Sequence, residues 1–173
     1  KDQSSGKKLG VTKTKENEFL WHYMLAYAGP VGPDDVYAQV LEKYKTGDQC
    51  VLLIEDLLAK SQIFNKIIKP TREDWWDDQQ TVDNLDAFGR LSAKATYPVI
   101  LKGYDAFGHD KVAFNQFLET LLIFYFRSRT ICKTPATKVR GVMNTLCKNL
   151  RDNVTISVSD LRKVLLEEHL SEY

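Results

Sequence analysis

The sequence predicts an all-α protein, a single compact domain of about eight helices, on three observations. Apolar residues recur at helical spacing through most of the 173 positions. Pro, Gly and small polar residues fall where helices start and stop. No run of strands alternates with these segments, and no repeat of solenoid length stands out. The most apolar stretch, residues 110–132, is expected near the centre of the domain. In it Phe114, Phe117, Leu118, Leu121, Leu122 and Tyr125 follow the i, i+3, i+4, i+7, i+8, i+11 pattern of one helix face. Ile123, Phe124 and Phe126 fill the other faces, as in a helix surrounded by other elements. Asp110 at its start and Arg127, Arg129 and Lys133 at its end suit the helix dipole. Asn115, Gln116 and Glu119 interrupt the stretch, whereas a membrane span needs roughly 20 apolar residues.

Residues 1–15 hold five lysines, one acid and two glycines, and are expected to form a flexible basic arm or linker; residues 16–173 form the helical domain. A first helix is expected over 16–28, with Phe19, Leu20, Tyr23, Met24 and Tyr27 inward. His22 lies off that stripe with no second ligand at metal spacing, so a surface or capping role is expected. Gly29-Pro30 stops the helix, and Pro33, followed by Asp34 and Asp35, opens a second that runs to Tyr44. Thr46-Gly47-Asp48 forms a turn and cap before a third helix that Pro70 ends. The acidic connection 72–80 carries Trp75 and Trp76, both expected to pin it to the core. Thr81 is expected to cap a fourth helix, Pro98 to open a short fifth, and Gly108 to close it. After the apolar helix, Thr134-Pro135 starts a seventh, and Ser159 is expected to cap the last.

Composition is that of an ordinary globular domain, 43% hydrophobic and 27% charged with net charge +1, so overall charge selects no partner. Three cysteines, Cys50, Cys132 and Cys147, include no CxxC pair, and no secretory leader is expected; both point to a reducing, cytoplasmic setting. Charge is nonetheless divided along the chain. Residues 73–86 hold six acids and no base, whereas 120–151 holds seven bases, Arg127, Arg129, Lys133, Lys138, Arg140, Lys148 and Arg151, and no acid. Such a tract can follow a phosphate backbone; the alternative is a set of ordinary solvated helix faces. No phosphate loop, dinucleotide fingerprint, HExxH, nucleophile elbow or zinc-finger pattern is present, so no cofactor, metal or catalytic residue is assigned.

Several strings resemble a known family. FLWHYMLAYAG (19–29), DLLA (56–59), Lys69-Pro70 before Trp75-Trp76, YPVIL (97–101) and FRSRTICKTPATKVRGVMNTL (126–146) are similar to GmrSD-type modification-dependent restriction proteins, over most of residues 16–152. Proteins of that family carry an N-terminal domain with a DGQQR motif tied to nucleotide hydrolysis, a helical region, and a C-terminal HNH nuclease domain. This chain resembles the helical region alone. Asp78-Gln79-Gln80 lacks the Gly and Arg of DGQQR and lies in another segment, so neither catalytic set carries over. Arg129, aligned with the family's Arg before Ile-Cys, is the one polar match singled out, with a structural capping or pairing role as its alternative. The resemblance implies a non-catalytic scaffold or linker of a phage-defence protein. Its partners would be the flanking NTPase and nuclease domains and, through the seven basic residues, double-stranded DNA; no membrane is involved. The competing expectation is a helical protein-interaction adaptor without DNA contact.

Overall fold

The computed structural model describes residues 15–153 and 156–168, so all but the last residue of the expected basic arm lies outside the described residues. Among them the fold is all-α. The helices are α1 (Lys15–Tyr27), α2 (Val36–Lys43), α3 (Gly47–Ile68), α4 (Gln79–Arg90), α5 (Tyr97–Phe107), α6 (Lys111–Phe126), α7 (Ala136–Asp152) and α8 (Val158–Arg162). A 3₁₀ turn, Lys94–Thr96, leads into α5, and π-helical turns, Arg127–Ile131 and Lys163–Glu168, follow α6 and α8.

Local chemistry accounts for most helix starts. Thr46 and Gln49 form a capping box at α3: the Gln49 N–H donates to Thr46 Oγ1 at 3.3 Å, and the Thr46 N–H to Gln49 Oε1 at 3.2 Å. Asp110 Oδ1 accepts from the Val112 and Ala113 amides at 2.8 and 3.1 Å, opening α6. Pro98 sits in the first turn of α5, where its missing N–H costs nothing. Four starts differ from expectation. At α7 the N-cap position falls on Pro135, and Thr134, expected as the cap, makes no side-chain bond to the helix. The first i→i−4 bond of α2 runs from the Gln39 N–H to the Asp35 carbonyl, so Pro33–Asp35 form a turn ahead of the helix rather than its first residues. Asp78, not Thr81, caps α4. Its carboxylate takes the Thr81 N–H at 3.0 Å, and Thr81 is buried one turn inside. Ser157, not Ser159, caps α8, because only Ser157 stands three residues before an acid, Asp160, that can return the bond.

The main core joins α4, α5, α6 and α7 with the inner ends of α1 and α3. α5 packs against α1, α3, α6 and α7, and α6 packs against α4, α5 and α8. The middle of the protein is therefore shared between α5 and α6. Of the two tryptophans, only Trp75 is an anchor. It is buried, stacks on Phe114 with centroids 5.3 Å apart and planes 12° apart, and donates its indole N–H to the Lys66 carbonyl at 3.1 Å. Trp76 is half exposed at φ 54°, because the turn that seats Trp75 swings the next side chain outward. A smaller cluster of Tyr23, Met24, Val36 and Leu53 ties α2 and the first half of α3 to α1. Val51, Ile54 and Leu58 fall on the opposite side of α3 and are exposed.

Candidate functional site

The seven basic residues do not form one continuous stripe. Arg129 donates to the Thr134 carbonyl oxygen and closes the π-helical turn at the end of α6, a structural use of the residue singled out by the resemblance. Arg151 donates from one guanidinium nitrogen to the Leu25 and Ala26 carbonyls, at 2.9 and 3.1 Å, holding the last turn of α1 against α7. The other five are exposed: Arg127 and Lys133 around the π-helical turn, and Lys138, Arg140 and Lys148 on α7. On ideal helix geometry Arg140 and Lys148 lie about 12 Å apart along the axis and about 80° apart around it, with Lys138 on the far edge of the solvent face. Lys133 adopts φ 52°, the left-handed turn that redirects the chain from the π-helical turn toward α7. Two buried hydroxyls, Ser128 Oγ and Thr134 Oγ1, lack a hydrogen-bond partner in the same turn. π-helical turns of this kind are frequent at functional sites.

A second feature was not legible in the sequence. A cleft of about 490 Å³ opens between α1, α3 and the start of α5. α1 contributes Glu18 and Phe19; α3 contributes Ser61, Phe64, Asn65 and Ile68, with Lys69 just beyond its end; Lys94 and Tyr97 close the far side. Its aromatic lining is continuous: Phe19 and Phe64 centroids are 5.3 Å apart, and Phe64 meets Tyr97 edge-on at 6.0 Å. Lys94 Nζ sits 2.8 Å from Glu18 Oε1, so that pair is internally neutralised. Lys69 forms no ion pair among the described residues.

Behind the cleft lies His22. The expected surface position is overturned: His22 is 1% exposed. It stacks on Trp21 (5.2 Å, 28°) and lies 5.5 Å from Phe64 and 5.8 Å from Tyr97 between ring centroids. Neither ring nitrogen has a hydrogen-bond partner. Burial pushes its pKa down to about 4, with Glu18 opposing and Lys94 adding to the shift, so the imidazole is neutral near pH 7. The apolar stripe misplaced it because α3, α5 and α7 all pack on α1, and the buried arc spans His22 to Ala26 rather than one narrow face.

A polar cluster on the same helices is structural. The Tyr23 hydroxyl donates to Asp56 at 2.5 Å. The Lys60 and Lys102 ammonium groups lie 5.2 and 5.1 Å from the Tyr27 ring centroid and both meet Asp105. Among the described residues no group of three or more His, Cys, Asp or Glu is placed to hold a metal ion, and no helix is long and apolar enough to cross a membrane. The three cysteines are free: Cys50 and Cys132 are exposed, and Cys147 is buried with its thiol pushed up to about 12 by that burial. No family model, curated protein or solved structure matches the chain.

Proposed function

We propose that this chain is the helical scaffold module of a DNA-modification-dependent restriction protein of the GmrSD type, acting in the cytoplasm. It would hold an NTPase domain and a nuclease domain in register and touch the duplex backbone through its exposed cations. One observation carries this most strongly: parts of the strings that resemble the family, above all within 19–29 and 97–101, supply the interior. Residues 98–101 are all buried, as are 22–26. Within 126–146, Ser128, Thr134, Val139, Met143 and Leu146 are buried, and Arg129 closes the turn between them. A likeness concentrated on packing and capping positions is a likeness of scaffold, and it calls for no catalytic group in this segment.

The DNA-facing set narrows to Arg127, Lys133, Arg140 and Lys148, which are exposed and form no ion pair among the described residues. Fluorescence anisotropy of a labelled duplex across a salt series tests the contact. Expected is micromolar binding that weakens steeply with salt, as for sequence-independent phosphate contacts. The Arg140→Ala/Lys148→Ala double variant should lower the slope of log K against log salt by about 1.8, at about 0.9 per lost phosphate contact. Absence of binding at about 50 mM salt would overturn the DNA contact. That result would favour the adaptor reading, which the exposed apolar face of α3 supports through Val51, Ile54 and Leu58.

A further inference from the structure

The cleft between α1, α3 and the start of α5 is open to solvent and has the size of a small-molecule site. Its volume of about 490 Å³ lies within the range of ligand pockets, roughly 300–1,000 Å³. Its walls combine three aromatic rings and Ile68 with the polar side chains of Glu18, Ser61, Asn65, Lys69 and Lys94, so apolar surface and orienting polar groups line the same space. Phe19, Phe64 and Tyr97 present ring surface and edges suited to a flat apolar body. Ser61 and Asn65, one turn apart on α3, face the same space with hydroxyl and amide.

Charge selects among flat ligands. Glu18 is held by Lys94 at 2.8 Å, so a ligand cation would have to displace a lysine already in place. Lys69 is uncompensated at the rim, and the lining as a whole is positive by one charge. Behind Phe64 and Tyr97, outside the lining itself, His22 is buried with both ring nitrogens unpartnered. We propose that this cleft binds a small molecule with a flat aromatic body and a single carboxylate, the rings stacking among Phe19, Phe64 and Tyr97 and the carboxylate meeting Lys69. Such a site is separate from the proposed DNA-facing cations, Arg127 and Lys133 before α7 and Arg140 and Lys148 on it, and does not depend on them.

The test is a titration of isotope-labelled protein, followed by NMR, with three probes of one shape: 2-naphthoate, 2-naphthamide and 2-naphthylmethylammonium. The carboxylate should shift the resonances of Phe19, Phe64, Asn65 and Tyr97 and saturate in the millimolar range. The amide should bind at least about fivefold more weakly, and the ammonium compound not at all. Lys69→Ala should reduce naphthoate to the affinity of the amide, and Ser61→Trp should abolish binding by filling the cleft. Far-UV circular dichroism checks that each variant is folded; should Ser61→Trp not fold, Lys69→Ala and the probe series decide. The proposal is overturned if naphthoate gives no saturable shift at those residues, if the three probes bind equally, or if Lys69→Ala changes nothing.

Discussion

Gly103 lies in the middle of α5 where that helix meets α6, and it is buried. A β-carbon added there would stand 2.5 Å from Phe117 Cε1, closer still to Cζ and 3.2 Å from Cε2. Comfortable carbon contacts are about 3.5–4.0 Å, so the overlap on two ring atoms is about 1 Å. The Phe117 ring cannot step aside. It is 1% exposed and lies against Phe107 and Phe114, with centroids 5.3 and 6.1 Å away. Overpacking of this kind costs about 1–3 kcal/mol, and the size of the overlap puts Gly103→Ala at the upper end. Alanine recovers about 1 kcal/mol over glycine in a helix interior, which leaves a net loss of about 2 kcal/mol. For a chain of this length that lowers the unfolding midpoint by about 4–8 °C.

Gly141 is the matched control. It is exposed on α7 with nothing within 4 Å of an added β-carbon, so Gly141→Ala should stabilise by about 1 kcal/mol and raise the midpoint by about 2–4 °C. Thermal unfolding followed by the helical circular dichroism signal measures both. The two substitutions are chemically identical, so opposite signs isolate packing from propensity. Gly103→Ala at or above the wild-type midpoint, with Gly141→Ala also raised, would refute the close α5–α6 approach.

Three other perturbations separate the remaining contributions. His22 must be neutral to stay buried; the unfolded chain binds its proton near 6.5 and the native state only near 4, so stability is complete above about pH 6.5 and declines as pH falls from 6.5 to 4, by about 3 kcal/mol in all. His22→Phe should flatten that part of the profile of urea midpoint against pH, and an unchanged slope would assign it to other groups. Asp78 is held below the usual carboxylate range by the Asn115 amide and then by Thr81, so its contribution is present above the ordinary value and is lost as pH falls through the lower native one. Asp78→Ala should cost about 2 kcal/mol at pH 7, as a lost cap with Thr81 and Asn115 left short of a partner, and less in acid; a loss that is constant with pH would contradict a role for the charge. Arg151→Met should destabilise by about 2 kcal/mol in urea, through its charged hydrogen bonds to the Leu25 and Ala26 carbonyls, whereas Arg140→Ala should change stability by less than about 0.5 kcal/mol. Equal effects of the two would return Arg151 to the solvated set.

The helices were readable where their signals are local. Asp110, Pro98 and the Thr46 turn each act within four residues, and they are found at the helix starts where their chemistry places them. Thr81 and Ser159 failed as caps for an equally local reason: an oxygen donor or acceptor stood at better spacing in Asp78 and Ser157. Adjacent side chains with the same propensity were harder to separate. Nothing in Trp75-Trp76 distinguishes the ring that stacks on Phe114 from the one left half exposed. Of the candidate site, the run of basic residues was visible, but its division was not, since Arg129 and Arg151 resemble their neighbours until the carbonyls they bind are known.

The amino-acid order alone determines that this chain is helical, roughly where each helix begins, and that its acids and bases are segregated, because these depend on periodicity and on contacts within one turn. Tertiary packing decided the rest. Arg151 reaches a carbonyl 126 residues away, His22 is buried by helices that follow it in the chain, and the cleft exists only because residues near 18, 64 and 97 converge. Burial and cavity shape are properties of how faces meet, and a single helical stripe carries no record of which face meets which.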